Sequence, residues 1–148
     1  MPLTPLKHIL LIDNDEDEFE FLASAVEEID RSVTVHFVSK CDRLLLASLP
    51  MPDLIFLDIN MPEYDGFHWL EGIRGHGYRD VPIIMYTTSR NQSQVDRAFE
   101  SGANLFITKP NKSRDLVAIL QELFLQNWGS PAEVTSAFHE RGAYHLCS

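Results

Sequence analysis

The feature that most constrains the fold is a repeated alternation of short apolar runs with stretches of helical period. Continuous apolar runs of this length are typical of parallel strands covered on both faces. Helical stretches between them indicate a βα unit repeated five times, and therefore a parallel sheet with right-handed crossovers. We predict five strands, at residues 8–12, 33–38, 54–59, 82–86 and 104–108.

The predicted helices differ in how clear their apolar periodicity is. Phe19, Leu22 and Val26 share one face of a predicted helix, and a second apolar stripe spans residues 116–124. Three helices with weaker signals are predicted at residues 41–48, at 91–101 before Gly102, and from Gly66 to the glycines at 75 and 77.

Length, composition and net charge limit which kind of protein this chain can be and which kind of partner it can bind. The 148 residues, of which 45% are apolar, suffice for a single domain with one core. A net charge of -10 argues against nucleic acid or an anionic membrane as a direct ligand, so the expected partner is a protein. Cys41 and Cys147 indicate neither a disulfide framework nor a zinc site. This cysteine usage makes a reducing cytoplasm the expected location. The sequence also has no apolar run of membrane-spanning length and no signal-peptide pattern.

Polar residues recur where the predicted strands end. The carboxyl edge of a doubly wound sheet is where ligands bind. Acids, an amide, hydroxyls and an ammonium are suited to a divalent cation and a phosphoryl group. The residues concerned are Asp13 and Asn14 after the first strand, Asp58 at the end of the third, Thr87 and Thr88 at the fourth, and Lys109 at the fifth.

The acidic stretch "IDNDEDEF" allows more than one interpretation. A calcium loop starting at Asp13 fails, because Glu18 and Ser24 stand where glycine and glutamate are needed. A phosphatase of the haloacid-dehalogenase kind would use Asp13 as nucleophile and Asp15 as acid, but it leaves Asp58 without a role. Asp15 followed by Glu18 also predicts a capped helix start, so Asp13 and Asn14 are the residues left for a site.

Four segments together resemble the receiver domain of two-component response regulators over residues 6–127: "LLIDND", "LIFLDINMPEYDG", "PIIMYTTS" and "GANLFITKP". The resemblance implies a flavodoxin-like, doubly wound α/β fold with five parallel strands in order 2-1-3-4-5 and five helices. Residues 128–148 are expected to form a tail that is a short docking helix or is disordered. Because the tail is short, we expect a stand-alone receiver without an output domain.

The resemblance also assigns chemical roles. Asp58 would be the phosphoacceptor that takes a phosphoryl group from a histidine kinase or phosphotransfer protein. Mg²⁺ would be held by Asp13, Asn14, Asp58 and the backbone carbonyl of Asn60. Lys109 would balance a phosphoryl oxygen as a point charge. Such a protein is a signalling phosphoacceptor that catalyses only its own phosphorylation and dephosphorylation.

The implied switch involves Thr87 and Phe106. Thr87 would donate its hydroxyl to the phosphoryl group, and Phe106 would repack, altering a protein-binding face formed by the fourth helix, fifth strand and fifth helix. Two-fold pairing through that face is common in the family that the chain resembles, so a homodimer is one expected assembly. The Lys109-Pro110 bond resembles a cis peptide of the family.

Asn14 departs from the family pattern, which usually has two consecutive acids after the first strand. The lost negative charge predicts weaker Mg²⁺ binding. It also motivates an alternative function, a receiver-like adaptor that works without phosphorylation.

Overall fold

The computed structural model describes residues 6–39, 43–61, 65–75 and 77–147, without the side chains of residues 43–45. The predicted start of the second helix at residue 41 therefore lies outside the described residues. In chain order the elements are β1 His8–Ile12, α1 Glu16–Ile29, β2 Thr34–Val38, α2 Arg43–Ser48, β3 Leu54–Leu57, α3 Gly66–Gly75, β4 Ile83–Thr87, α4 Gln92–Glu100, β5 Leu105–Thr108, α5 Ser113–Phe124, α6 Pro131–Glu140 and β6 His145–Leu146.

All strands pair in parallel in one sheet of order β2-β1-β3-β4-β5-β6. Every residue of β3, β4 and β5 is buried, as the uninterrupted apolar runs predicted for strands with helices on both faces. β2 lies at one margin of the sheet and is more exposed. The predicted α/β fold and the order of the first five strands are confirmed.

Local sequence signals explain where the helices start. The side chain of Asp15 accepts a hydrogen bond from the backbone of Asp17 at 2.9 Å and caps α1, as predicted. Asn91 caps α4 in the same way through Ser93. Gly102 follows α4 with a φ of 92°, a left-handed conformation that glycine adopts without a steric cost.

The C-terminal segment is folded, so the expectation of a disordered tail is wrong for the residues described. Trp128, Val134, Phe138 and Tyr144 are all buried in the same core cluster as the strands. The predicted short helix is α6. Within the described residues the sheet has six strands rather than the five predicted, because the chain returns after α6 and β6 pairs with β5. A strand of two residues carries no periodic sequence signal, which is why the pattern did not reveal it.

Arg74, near the end of α3, fixes the amino ends of the last strands. Its guanidinium donates to five acceptors that lie before β4 and β5: the carbonyl oxygens of Tyr78, Arg79, Val81 and Gly102 and the side-chain oxygen of Asn104. Asn104 also accepts from the backbone of Ile83 at 2.9 Å and donates to Thr135 of α6 at 3.1 Å. This hydrogen-bond network joins α3, β4, β5 and α6 at the edge opposite the predicted site.

Candidate functional site

Backbone hydrogen bonds place the predicted residues side by side at the carboxyl edge of the sheet. The amide of Asp58 donates to Ile12 at 2.9 Å, which sets Asp58 next to Asp13. The amide of Lys109 donates to Thr87 at 2.7 Å, which joins the ends of β5 and β4. The strands β1, β3, β4 and β5 end at the same level of the sheet. Asp13, Asp58, Thr87 and Lys109 therefore lie side by side.

Lys109 is the centre of the site. Its ammonium lies 2.7 Å from Oδ2 of Asp13, 3.9 Å from Oδ2 of Asp58 and 4.0 Å from a carboxylate oxygen of Glu18. The Lys109 side chain is 8% exposed and that of Asp13 is fully buried. The predicted cis Lys109-Pro110 bond is wrong: the peptide is trans, and the long lysine side chain reaches the carboxylates from that geometry.

Asp13 connects the site to the start of α1. Its second carboxylate oxygen accepts from the backbone of Asp15 at 3.0 Å. In a capping box that backbone group would be taken by Glu18, three residues after the cap. Because Asp13 already binds it, Glu18 is available to face Lys109. Sequence reasoning assigned Glu18 to the helix start and missed this third carboxylate.

Burial and neighbouring charges shift the pKa values of the two other acids of the pocket, Asp58 and Glu18. Burial raises the pKa of Asp58, and Asp13 raises it further, while the Lys109 ammonium and backbone amides lower it. Burial likewise raises the pKa of Glu18, opposed by Lys109 and reinforced by the neighbouring acids. An additional cation in the pocket would therefore stabilise the ionised forms of both carboxylates.

Thr87 is fully buried at the end of β4. Its hydroxyl oxygen accepts from the side-chain amide of Asn60 at 3.4 Å and from the backbone of Ser89 at 3.5 Å. Both bonds are long, so little enthalpy opposes a change of partner. The backbone of Asn60 also donates to Asp58 at 3.3 Å. The side-chain contact between Asn60 and Thr87 was not predicted, because the family resemblance assigns only the backbone carbonyl of Asn60 to the site.

Two aromatic residues lie beneath the polar groups. The Lys109 ammonium is 5.4 Å from the centre of the Tyr86 ring, within cation–π range. The Tyr86 hydroxyl is buried and has no hydrogen-bond partner among the described residues. Phe106 on β5 is also fully buried.

The donor set suits a hard divalent cation. Asp13 and Asp58 supply buried carboxylate oxygens, while Asn14 is exposed beside them. Within the described ranges, no group of three or more His, Cys, Asp or Glu side chains is arranged as a metal site by itself. These residues fit Mg²⁺, which keeps several water ligands and needs few protein oxygens.

Comparisons with known proteins identify the family to which the chain belongs. The sequence profile of the response regulator receiver domain matches residues 9–121. The sensory transduction protein BceR of Halalkalibacterium halodurans is 33% identical over 117 residues, which cover 78% of this chain and 48% of BceR. The chain belongs to the response regulator receiver family, whose members are signalling phosphoacceptors that typically bind Mg²⁺. It spans about half the length of the curated relatives it matches.

Solved structures show the same fold. The phosphorylated cyanobacterial phytochrome response regulator RcpA superposes with a TM-score of 0.67 at 23% identity, covering 82% of this chain and 95% of that chain. The Mn²⁺-bound form of response regulator Rcp1 gives a TM-score of 0.62 at 25% identity, covering 79% and 91%. No helix in the described part of the chain has the length and apolar character needed to cross a bilayer.

Proposed function

We propose that Asp58 is the phosphoacceptor of this receiver domain and takes its phosphoryl group from a phosphohistidine on a partner kinase or phosphotransfer protein. The observation that carries the proposal is the convergence of Asp13, Asp58 and Lys109 at one buried point on the carboxyl edge of the sheet. A structural ion pair would need one carboxylate for one ammonium. A second buried acid 3.9 Å from the same ammonium leaves one negative charge unbalanced, which is suited to a pocket that binds a divalent cation together with a phosphoryl group.

Each residue has a defined part in the transfer. A carboxylate oxygen of Asp58 attacks phosphorus, the bond from phosphorus to the imidazole nitrogen breaks, and the imidazole leaves with the electron pair. Lys109, already within 4 Å of Asp58, moves onto a phosphoryl oxygen as charge develops. Bound Mg²⁺ supplies the remaining charge neutralisation. Asp13, Asn14, Asp58 and the carbonyl of Asn60 would hold it.

The proposed switch follows from the weak bonds of Thr87. Its hydroxyl exchanges Asn60 for a phosphoryl oxygen, to which it donates. The shift of Thr87 changes the space beside Phe106 and so the surface of α4, β5 and α5, where we place a downstream protein partner or a second copy. Phosphorylation thereby alters a protein-binding face, and hydrolysis of the acyl phosphate resets it.

Intact mass after incubation with acetyl phosphate tests the phosphoacceptor. The wild type is expected to gain one phosphoryl group in the presence of Mg²⁺ and none in excess chelator. Asp58→Asn is expected to gain none under either condition, because an amide oxygen is too poor a nucleophile to attack phosphorus.

The matched control is Asp53→Asn, a carboxylate on the same segment whose oxygen accepts from the backbones of Lys7 and His8 at the other end of β3. It should still be phosphorylated. Uptake by Asp58→Asn equal to that of the wild type would refute the proposed phosphoacceptor. Loss of uptake in Asp13→Ala with normal uptake in Asp58→Asn would instead favour a nucleophilic Asp13.

Glu18→Gln is expected to weaken Mg²⁺ binding a few-fold. Removing a partly screened negative charge near the pocket costs on the order of 1 kcal/mol of electrostatic attraction. Calorimetric titration with Mg²⁺ measures the change directly. The reciprocal variant Asn14→Asp should strengthen binding, because it adds a charge beside Asp13.

Glu16→Gln is the matched control for Glu18→Gln. Glu16 lies in the same turn of α1 and is exposed. Equal Mg²⁺ affinities for the Glu16 and Glu18 variants would show that Glu18 acts only as part of the general surface charge.

A further inference from the structure

The edge of β5 is covered by the chain itself. β6 pairs with β5 through Phe106 opposite His145 and Ile107 opposite Leu146. The backbone amide of Phe106 donates to Tyr144 at 3.1 Å. An open edge strand would otherwise present these backbone groups to another chain. A ladder of only two residue pairs provides few backbone bonds, so it opens more readily than the rest of the sheet.

His145 links this short strand, through Thr108, to the loop that follows Thr87. The hydroxyl of Thr108 donates to the carbonyl of Ser89 at 2.8 Å, since a carbonyl can only accept. The hydroxyl has one hydrogen, so its 2.7 Å contact with Nε2 of His145 requires the imidazole to donate. The His145 ring also stands edge-on to Phe106, with ring centres 5.1 Å apart and planes at 87°.

We propose that the β5 edge is a docking surface whose occupant is the chain's own residues 145–147, and that phosphorylation of Asp58 releases them. This inference rests on the proposed function. Thr87 moves towards the phosphoryl group and gives up its contact with the backbone of Ser89. The carbonyl of Ser89 then leaves Thr108, and Thr108 no longer orients its hydroxyl towards His145.

The release is confined to the last part of the tail. Tyr144 is buried and its hydroxyl donates to the carbonyl of Ala103 at 2.7 Å. His139 of α6 stacks on Phe99 of α4, with ring centres 4.2 Å apart. These contacts lie away from Thr108 and do not depend on Thr87. α6 and the Tyr144 side chain therefore stay in place, while the Tyr144 carbonyl, which accepts from Phe106, and the residues after it leave β5.

Docking and phosphorylation oppose each other by thermodynamic linkage. Residues 145–147 dock on the arrangement of Phe106 and Thr108 found without a phosphoryl group, so they stabilise that arrangement. While docked, they also occupy the backbone groups of β5 that a partner would need. His145 is thus a positioning residue: it affects the pocket through Thr108 and Ser89 without touching it.

Hydrogen–deuterium exchange with and without acetyl phosphate and Mg²⁺ tests the release. The Phe106 amide and those of residues 145–147 should exchange severalfold faster in the phosphorylated protein. Amides in the body of α6, Pro131–Glu140, should keep their exchange rates. Intact mass on the same samples records whether Asp58 is phosphorylated.

Variants of the tail provide a second readout. His145→Ala should raise the rate of phosphoryl uptake from acetyl phosphate a few-fold and speed exchange of the Phe106 amide without phosphorylation. His145→Gln keeps a hydrogen-bond donor and should restore part of the wild-type behaviour. His139→Ala is the control, since it lies in the same tail but contacts Phe99 and Tyr144 rather than Phe106.

The possible failures are distinguishable. Full phosphoryl uptake with unchanged exchange at Phe106 and residues 145–147 would overturn the release and leave the proposed function intact. Equal rates of phosphoryl uptake for His145→Ala and His139→Ala would show that His145 has no positioning role. Absence of uptake in the wild type would overturn the proposed function together with this inference.

Discussion

Gly66→Ala is expected to lower the free energy of unfolding by about 3 kcal/mol or more, the upper part of the range for overpacked sites. A Cβ on Gly66 would lie 2.2 Å from the backbone oxygen of Asp58 and 2.8 Å from Cα of Ile59. Both atoms belong to the backbone that positions the proposed phosphoacceptor, so relief of the clash must displace Asp58. Urea denaturation followed by circular dichroism measures the loss.

Gly72→Ala is the matched control in the same helix. Among the residues that the structure describes, no neighbouring atom lies within 4 Å of a Cβ at Gly72. Alanine there should stabilise the protein by about 0.5–1 kcal/mol through its better helix propensity. If the two variants had similar stabilities, close packing of α3 on the Asp58 backbone would not be the reason for glycine at residue 66. Phosphoryl uptake should also fall in Gly66→Ala and remain normal in Gly72→Ala.

Lys109→Met is expected to have two large effects. Phosphoryl uptake should fall at least ~100-fold, the usual cost of removing a charge-stabilising group from a transition state. In chelator, stability should also fall by about 3–5 kcal/mol, because Asp13 is fully buried and loses its partner at 2.7 Å. Methionine keeps the aliphatic stem, so packing is largely preserved. Mg²⁺ should restore part of the stability by neutralising the same carboxylates.

Lys112→Met separates these effects from a general loss of positive charge. Lys112 is exposed at the start of α5, on the segment that follows β5. Its replacement should leave both phosphoryl uptake and the denaturation midpoint nearly unchanged. Equal unfolding curves for the two lysine variants would contradict a structural role for the buried ammonium.

The convergence of Asp13, Asp58, Thr87 and Lys109 could be predicted from sequence because it follows from topology alone. Parallel strands bring their carboxyl ends to one edge, and each of these residues lies at the end of an apolar run. The roles that the resemblance gave them remain proposals, since convergence does not measure phosphorylation. Asn14 was likewise predicted at this edge, where the structure leaves it exposed.

Other parts of the site could not be predicted, for physical reasons that differ. Glu18 is an acid in the first turn of a helix, where the helix dipole alone explains a carboxylate. Its orientation towards Lys109 depends on Asp13 having taken the backbone group of Asp15. The docking of His145 depends on two strand residues, too few for any periodic signal. Contacts of this kind are set by tertiary packing rather than by local pattern.

The Arg74 network has a mechanical consequence. Five hydrogen bonds from one guanidinium hold the segments before β4 and β5, and Asn104 extends the restraint to α6. The ends of these strands that lie opposite the proposed phosphoacceptor are therefore anchored. We expect the movement that follows a change at Asp58 to be concentrated at the carboxyl ends of β4 and β5 and in the loops after them, rather than at the ends held by Arg74.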